Sequence, residues 1–300
     1  MVKNQHYIPQ FYLKRFGNNG KIDFYDRQER KFILNTNVKN FASERFFYDI
    51  DANELKEELV LYKEYANISD KGFNIMLSNP QLIENHFSKM ESRTNIYFNK
   101  FESNLAFIND ENFISVLVNF VYTQSIRTKN YRITIEKVST QISGWLRNMG
   151  VEKVANYPLD LPPQKIAQLE QLKHIVSLTE LYSKLTLFFT NYDIFIGIND
   201  SDLGFILSEE PFLDFFLGFN DICVPINPKL CVIFQVKTVK PEFLLCKKKP
   251  DSNKIIHLDI KDVTKYTLRQ YTDSSRYLFG NNEDIKHFLA IVKLLKSKNQ

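Results

Sequence analysis

Apolar positions in the middle of the chain recur in steps of three and four, whereas near the N-terminus and in residues 191–258 they form short alternating or continuous runs. The first spacing belongs to helices and the second to strands. Ile83, Phe87, Met90, Thr94, Tyr97 and Phe101 predict a long helix that starts at Asn79-Pro80 and ends near Asn104. Phe113, Leu117, Phe120, Gln124, Arg127, Tyr131, Thr134, Val138, Gln141 and Trp145 predict a second, capped by Asp110 and closed by Asn148–Gly150. Pro158, Pro162 and Pro163 mark a loop, and a third long helix is expected from about Gln164 to Thr190. Residues 53–67 also read as helical.

At the N-terminus, Pro9 fits the first position of a short helix and Gly17 fits the residue just past its end near Phe16. Lys21–Tyr25 and Lys31–Asn35 flank Asp26–Arg30 as a hairpin, and Ser43–Tyr48 reads as an aromatic connection. Further on, Ile194–Ile198, Phe205–Leu207, Ile222–Val224 and Leu230–Val236 are strand-like, with 254–258 as one more. Asp259–Leu278 and Asn282–Lys296 return to helix. Strands and helices are segregated, so the expected class is α+β: helix-rich with three long helices, an N-terminal β-hairpin and a small sheet in the C-terminal half. The chain reads as one domain over residues 1–300, with 149–163 as the strongest linker candidate.

Composition narrows the class. Hydrophobic residues are 44% and charged residues 25%, which excludes a mainly disordered chain. The charge balance, 39 − 35 = +4, is too mild to imply a nucleic-acid partner by itself. With 26 phenylalanines, the core should be aromatic. Glycine is scarce at nine residues, and no GxGxxG or GxxxxGK[ST] loop occurs. The three cysteines, Cys223, Cys231 and Cys246, form no CxxC pair, and the five histidines are scattered without an HExxH. Val2–His6 is polar, which predicts no signal peptide, and the longest uncharged apolar run, Ile114–Tyr122, is too short to span a bilayer. The expectation is a soluble cytoplasmic protein with no membrane partner.

Candidate chemistry lies where polar residues interrupt structured, apolar surroundings. Gln124 and Arg127 sit on a helical stripe, where a buried arginine needs a partner. They also fit a structural ion pair or a stripe that reaches solvent. Leu203–Pro211 delivers Ser208, Glu209 and Glu210 to a strand end. Residues 191–228 hold seven acids and no Lys or Arg, an oxygen-rich neighbourhood suited to Mg²⁺ or, equally, a set of solvated loop acids. The next stretch is opposite in sign: Lys237, Lys240, Lys247, Lys248, Lys249 and Lys254 face only Glu242 and Asp251. Such a basic loop suits phosphates or plain solvation. His6, with Tyr7 and Gln10, stands at a helix N-terminus, which favours anions. Glu209 with Gln235-Val236-Lys237 loosely matches a restriction-type nuclease core, whereas no GxSxG elbow is present.

The opening segment resembles the signature of the bacterial family called domain of unknown function 4238, which begins His-Tyr-(Val/Ile)-Pro-Gln, two residues, Leu, two residues, Phe. Here those positions are His6, Tyr7, Ile8, Pro9, Gln10, Leu13 and Phe16. Ser43-Glu44 with Phe47-Tyr48, Glu91, and Gln124 to Thr128 resemble its later blocks. Ser208-Glu209-Glu210-Pro211 stands where the family usually has Ser-Asp-Asn-Pro, and Pro225-Ile226-Asn227-Pro228 where it has Pro-Leu-Ser-Pro. Some members resemble proteins of anti-phage defence loci, which often encode nucleases or other toxic effectors. The resemblance implies an intracellular effector acting on nucleic acid or a nucleotide. His6 would transfer a proton or hold phosphate, Arg127 would stabilise phosphate charge and Glu209 would act as base or Mg²⁺ ligand. Tyr7, Gln10, Gln124, Ser208 and Glu210 would bind and orient. The alternative is a non-catalytic sensor or binding module that recognises a phage or host component.

Overall fold

The computed structural model describes residues 4–45, 47–48, 74, 78–79, 81–151, 162–176, 191–212, 221–240, 243–274 and 276–298. The helix expected over 53–67, the Pro80 start, most of the 149–163 linker and the end of the third helix lie outside them. The class is α+β. The chain divides into two compact units. The first comprises Met1–Tyr7, Ser43–Met90 and Ile126–Leu181, and the second Ile8–Ala42, Glu91–Ser125 and Tyr182–Gln300. Among the described residues, no helix is long and apolar enough to cross a membrane.

In the first unit, β1 (Asn4–His6) pairs antiparallel with β4 (Ser43–Arg45), His6 opposite Ser43. Ser43–Arg45 is therefore a strand, not merely a connection. The unit also holds the first turns of α2 (Leu82–Ser103) and all of α4 (Lys129–Asn148) and α5 (Pro163–Val176). The helix expected over 110–150 is two helices, because α3 (Glu111–Ile126) stops before Thr128. The Thr128 hydroxyl accepts the Tyr131 amide as a new N-cap, which ends one helix and starts the next. The break rotates the pattern. Val138 and Trp145, expected inside, are 47% and 63% exposed, and α4 instead buries the small Ser139 and Ser143, four residues apart. The small face lets α4 lie close against α5.

The second unit carries two sheets. β2 (Lys21–Asp26) and β3 (Lys31–Asn37) form the expected hairpin. It is extended by β10 (Tyr277–Gly280) and the two-residue β6 (Leu207–Ser208) in the order β3-β2-β10-β6. Residues 277 and 278, expected at the end of a helix, are thus strand. The helix α6 (Ile260–Asp273) ends at Ser274, whose hydroxyl donates to the Tyr277 carbonyl. The other sheet runs β7-β8-β5-β9, from β5 (Tyr192–Asn199), β7 (Asp221–Asn227), β8 (Leu230–Val236) and β9 (Ile255–Leu258). Only its β5–β9 pair is parallel. α7 (Asn282–Lys298) follows β10.

The aromatic core expected from composition is present, and the N-terminal motif feeds it. Pro9 is the N-cap of α1 (Gln10–Lys14) rather than its first helical residue. The helix buries Tyr12 and Leu13 completely. The Tyr12 ring meets Phe16 at 5.6 Å, Phe120 at 5.1 Å and Phe212 at 6.0 Å between centroids. Its hydroxyl donates to the Pro225 carbonyl at 2.7 Å, tying α1 to β7. Gly17 follows because a Cβ there would lie 2.1 Å from the Lys21 carbonyl oxygen.

Candidate functional site

The sequence-expected residues fall into two constellations, one in each unit. In the first unit Arg127 lies in the turn between α3 and α4 and is 1% exposed. Its Nη2 donates to the His6 carbonyl, its Nε reaches the Tyr48 hydroxyl at 3.4 Å, and its guanidinium lies 4.2 Å from the Phe87 centroid. Tyr48 closes the arrangement by donating its hydroxyl to the Arg127 carbonyl at 2.7 Å and its amide to Gln5 Oε1 at 2.6 Å. Burial raises the Tyr48 phenol to about 12, against the lowering pull of Arg127, so it stays a neutral donor. Tyr7 packs its ring 6.0 Å from Phe47. His6 and Arg127 thus meet through the histidine's backbone oxygen.

A second arginine extends this network. Arg132 stacks 3.8 Å over Phe47, donates to the Phe47 carbonyl at 2.8 Å and donates through Nε to Gln171 Oε1 at 2.7 Å. Burial lowers its pKa from the ordinary arginine value. The Gln171 amide in turn donates to the Ile126 carbonyl at 2.8 Å and the Thr128 carbonyl at 3.1 Å. Ile126 ends α3, where helix termini leave carbonyls without an intrahelical amide, whereas the Thr128 carbonyl also accepts the Arg132 amide at 3.4 Å. Arg132 and Gln171 were not singled out by sequence. A glutamine on a polar-looking helix carries no periodic signal of its own.

In the second unit, Gln10 opens α1 half-buried and Gln124 lies fully buried near the end of α3. Ser208, Glu209 and Glu210 are all buried. The Ser208 hydroxyl accepts the Glu210 amide at 3.1 Å, the local turn that serine favours. Gln270 clasps both ends of the corner. Its Oε1 accepts the Ser208 amide at 3.0 Å and hydroxyl at 2.9 Å, and its Nε2 donates to the Pro211 carbonyl at 2.7 Å. Glu209 Oε1 accepts the Arg276 amide. Arg276 also donates to Asp26 at 2.9 Å, and Asp26 caps the hairpin turn through the Gln28 and Glu29 amides. Burial pushes Asp26 up, but Arg276 and the two amides outweigh it and hold the carboxyl below its ordinary value.

One expectation fails on this geometry. The restriction-type match needs Glu209 and Gln235-Val236-Lys237 on strands of one sheet. Glu209 follows β6 in one sheet, and Gln235 lies in β8 of the other, donating to the Cys246 carbonyl at 3.2 Å. For the acidic run, among the described residues no group of three or more His, Cys, Asp or Glu is placed to hold a metal ion. Asp214 lies outside them. Asp200 pairs with His257 at 2.8 Å, and Asp221 is fully buried.

The second unit has a cleft of about 920 Å³ between the end of α1, the β2–β3 hairpin, the Asp202–Gly204 loop and the start of α7. Its walls carry both signs, lined by Arg15, Lys21 and Lys229 as well as Asp23, Asp202, Glu283 and Asp284. The amides at the start of α7 are already taken, Asn282 by Asp23 and Glu283 by the Asn281 side chain. The wall is therefore not a bare anion cradle but a mixed-charge surface of a size suited to small ligands or a peptide segment. No curated protein and no solved structure matches the chain. The model of the family described as protein of unknown function (DUF4238) matches residues 4–284, and this chain belongs to that family.

Proposed function

We propose that the chain is a non-catalytic binding module that recognises a phage or host component in the bacterial cytoplasm, in the setting of anti-phage defence. One observation carries this reading: the family-block residues Arg127, Ser208 and Glu209 are buried and bonded to the chain's own backbone. Arg127 holds the His6 carbonyl, Glu209 holds the Arg276 amide, and Ser208 holds the Glu210 amide. Groups arranged in this way stabilise a fold, and a substrate would have to displace those bonds to reach them. The mixed-charge cleft supports the same reading, because it offers exposed Lys21 and Asp202 to a partner.

The effector-enzyme reading makes a different demand. It assigns proton transfer to His6, phosphate stabilisation to Arg127 and base or Mg²⁺ binding to Glu209, so all three must meet one substrate. The distinguishing experiment incubates wild type, Arg127→Ala and Glu209→Gln with single- and double-stranded DNA and RNA, with Mg²⁺ or EDTA. Thermal melts of all three accompany it. The binding-module reading expects no cleavage by any protein and a lowered melt for Arg127→Ala. Cleavage by wild type that is lost in a fully folded Glu209→Gln would overturn it.

A further inference from the structure

Helix α4 buries its two serines, Ser139 and Ser143, and leaves a row of apolar residues outside. Tyr131, Ile135, Val138, Ile142, Trp145 and Met149 follow one another in steps of four and three, the a and d spacing of a coiled-coil seam. The first two are half-buried, whereas the last four are 47%, 39%, 63% and 60% exposed. At 3.6 residues per turn, the charged residues of α4 (Lys129, Arg132, Glu136, Lys137 and Arg147) all lie about 100° or more round the helix from this row. Thr134, Gln141 and Asn148, seven residues apart and exposed, line one flank. Ser139 and Leu146 line the other. The seam and both its flanks are therefore free of charge.

The four exposed side chains present roughly 400 Å² of apolar surface, a patch of the size that is often functional. The row is one side chain wide, the width of a seam against another helix, whereas a helix lying on a bilayer buries a wider face. In mixed helix pairs the flanking charges choose the partner. This seam has none, so a second copy of the chain meets no repulsion. The row is also self-complementary when two copies run antiparallel about a twofold axis beside residue 140. Its layers are then Ile142 on Val138, Trp145 on Ile135 and Met149 on Tyr131 of the other copy. Gln141 meets its own counterpart across the axis, and an amide both donates to and accepts from its own kind. A parallel pair would instead set Trp145 against Trp145 and place like helix dipoles side by side. We propose that α4 is a homodimerisation helix, which pairs antiparallel with α4 of a second copy through Val138, Ile142, Trp145 and Met149. With the flanks included, the contact buries on the order of 1,000 Å², below the standard interface, so the dimer is weak and forms in the micromolar range. The inference goes beyond the binding-module reading and does not depend on it.

The test is sedimentation velocity of the full chain over a concentration series spanning the micromolar range. Wild type is compared with Trp145→Ala, Gln141→Lys, Gln141→Glu and an equimolar mixture of the two Gln141 variants. Thermal melts at a dilution where the wild type is monomeric check the fold of each. The expected result is a wild-type shift from monomer to dimer as concentration rises. Trp145→Ala should raise the dissociation constant at least about tenfold, as loss of a central tryptophan does in an interface. Each Gln141 variant should dimerise less than wild type, because like charges then face each other across the axis, and the mixture should regain the dimer by pairing lysine with glutamate. Residue 141 is exposed, so this pair of variants tests the seam even if Trp145→Ala fails to fold. A wild type that stays monomeric throughout, a dimer undiminished in folded Trp145→Ala, or a mixture that dimerises no better than its components would each overturn the inference. So would co-sedimentation of a monomeric wild type with phosphatidylcholine–phosphatidylserine vesicles, which would assign the row to a bilayer.

Discussion

Gln171→Leu is the substitution that isolates the buried junction between α3 and α4. Leucine fills similar space on the helix but removes both the acceptor and the donors of the carboxamide. Three bonds disappear at once: from Arg132 Nε at 2.7 Å, and to the Ile126 and Thr128 carbonyls at 2.8 and 3.1 Å. Gln171 is fully buried, so water does not replace them cheaply. A neutral hydrogen bond contributes about 1 kcal/mol net, one to a charged group about 1.5–3 kcal/mol, and stranded buried groups add their desolvation. The three share one carboxamide and are not additive, and apolar burial of leucine offsets part of the loss, so the expected cost is about 3–4 kcal/mol. At roughly 2–4 °C per kcal/mol for chains of this size, the melt falls by about 10 °C. Urea unfolding followed by circular dichroism should show a lower midpoint with an unchanged slope. A cost below about 1 kcal/mol would refute the view that Gln171 holds the helix break together.

Two further predictions concern the second unit. Tyr12→Phe removes only the hydroxyl that bonds the Pro225 carbonyl in a dry aromatic core, and should cost about 1–2 kcal/mol by urea titration. The buried carboxylates Asp26 and Asp221 should respond to pH with opposite signs. Asp26 is held below its ordinary value of 3.8, because Arg276 and two amides outweigh its burial. Its stabilisation is full above that value and is lost as the pH falls through the lower folded value. Burial raises Asp221, with Arg269 and Tyr266 pulling it back, so the folded chain favours its protonated form and stability declines as the pH rises through the raised value. Measured as wild type minus variant, the stability difference for Asp26→Asn should therefore grow with rising pH across the acid range, and that for Asp221→Asn should shrink. Parallel slopes would refute the assignment.

The parts of this fold that were legible in sequence are those whose signal is local. The hairpin reads from alternation around Asp26–Arg30, where an Asp at the head of a turn caps the following amides. β8 reads as an apolar run from Leu230 to Phe234 because it lies inside its sheet between β7 and β5, buried along that length. The break at Thr128 was hidden because steps of three and four continue across it by coincidence, and only the cap residue betrays it. Trp145 then appeared inward although it is exposed, and the inward face carries serines that no hydrophobic pattern marks. β10 was hidden because Tyr277-Leu278-Phe279 follows directly on a helical stripe. Its strand character comes from pairing with Lys21–Asp26, about 250 residues earlier. The site showed the same division. Arg127 and Glu209 stood out as polar residues in apolar company, whereas Gln171, Gln270 and Asp221 acquire their roles only from distant partners.

Glu209 offers the most direct test of whether the family's polar positions serve the fold or the chemistry. Its Oε1 accepts the Arg276 amide, a task that glutamine performs and alanine does not. Parallel thermal melts and DNA and RNA cleavage assays of Glu209→Gln and Glu209→Ala separate the two roles. The account predicts that the glutamine variant melts within about 1 kcal/mol of wild type, that the alanine variant loses about 1–3 kcal/mol, and that none of the proteins turns over substrate. Wild-type melts for both variants, with a Mg²⁺-dependent cleavage present only in the wild type, would contradict it.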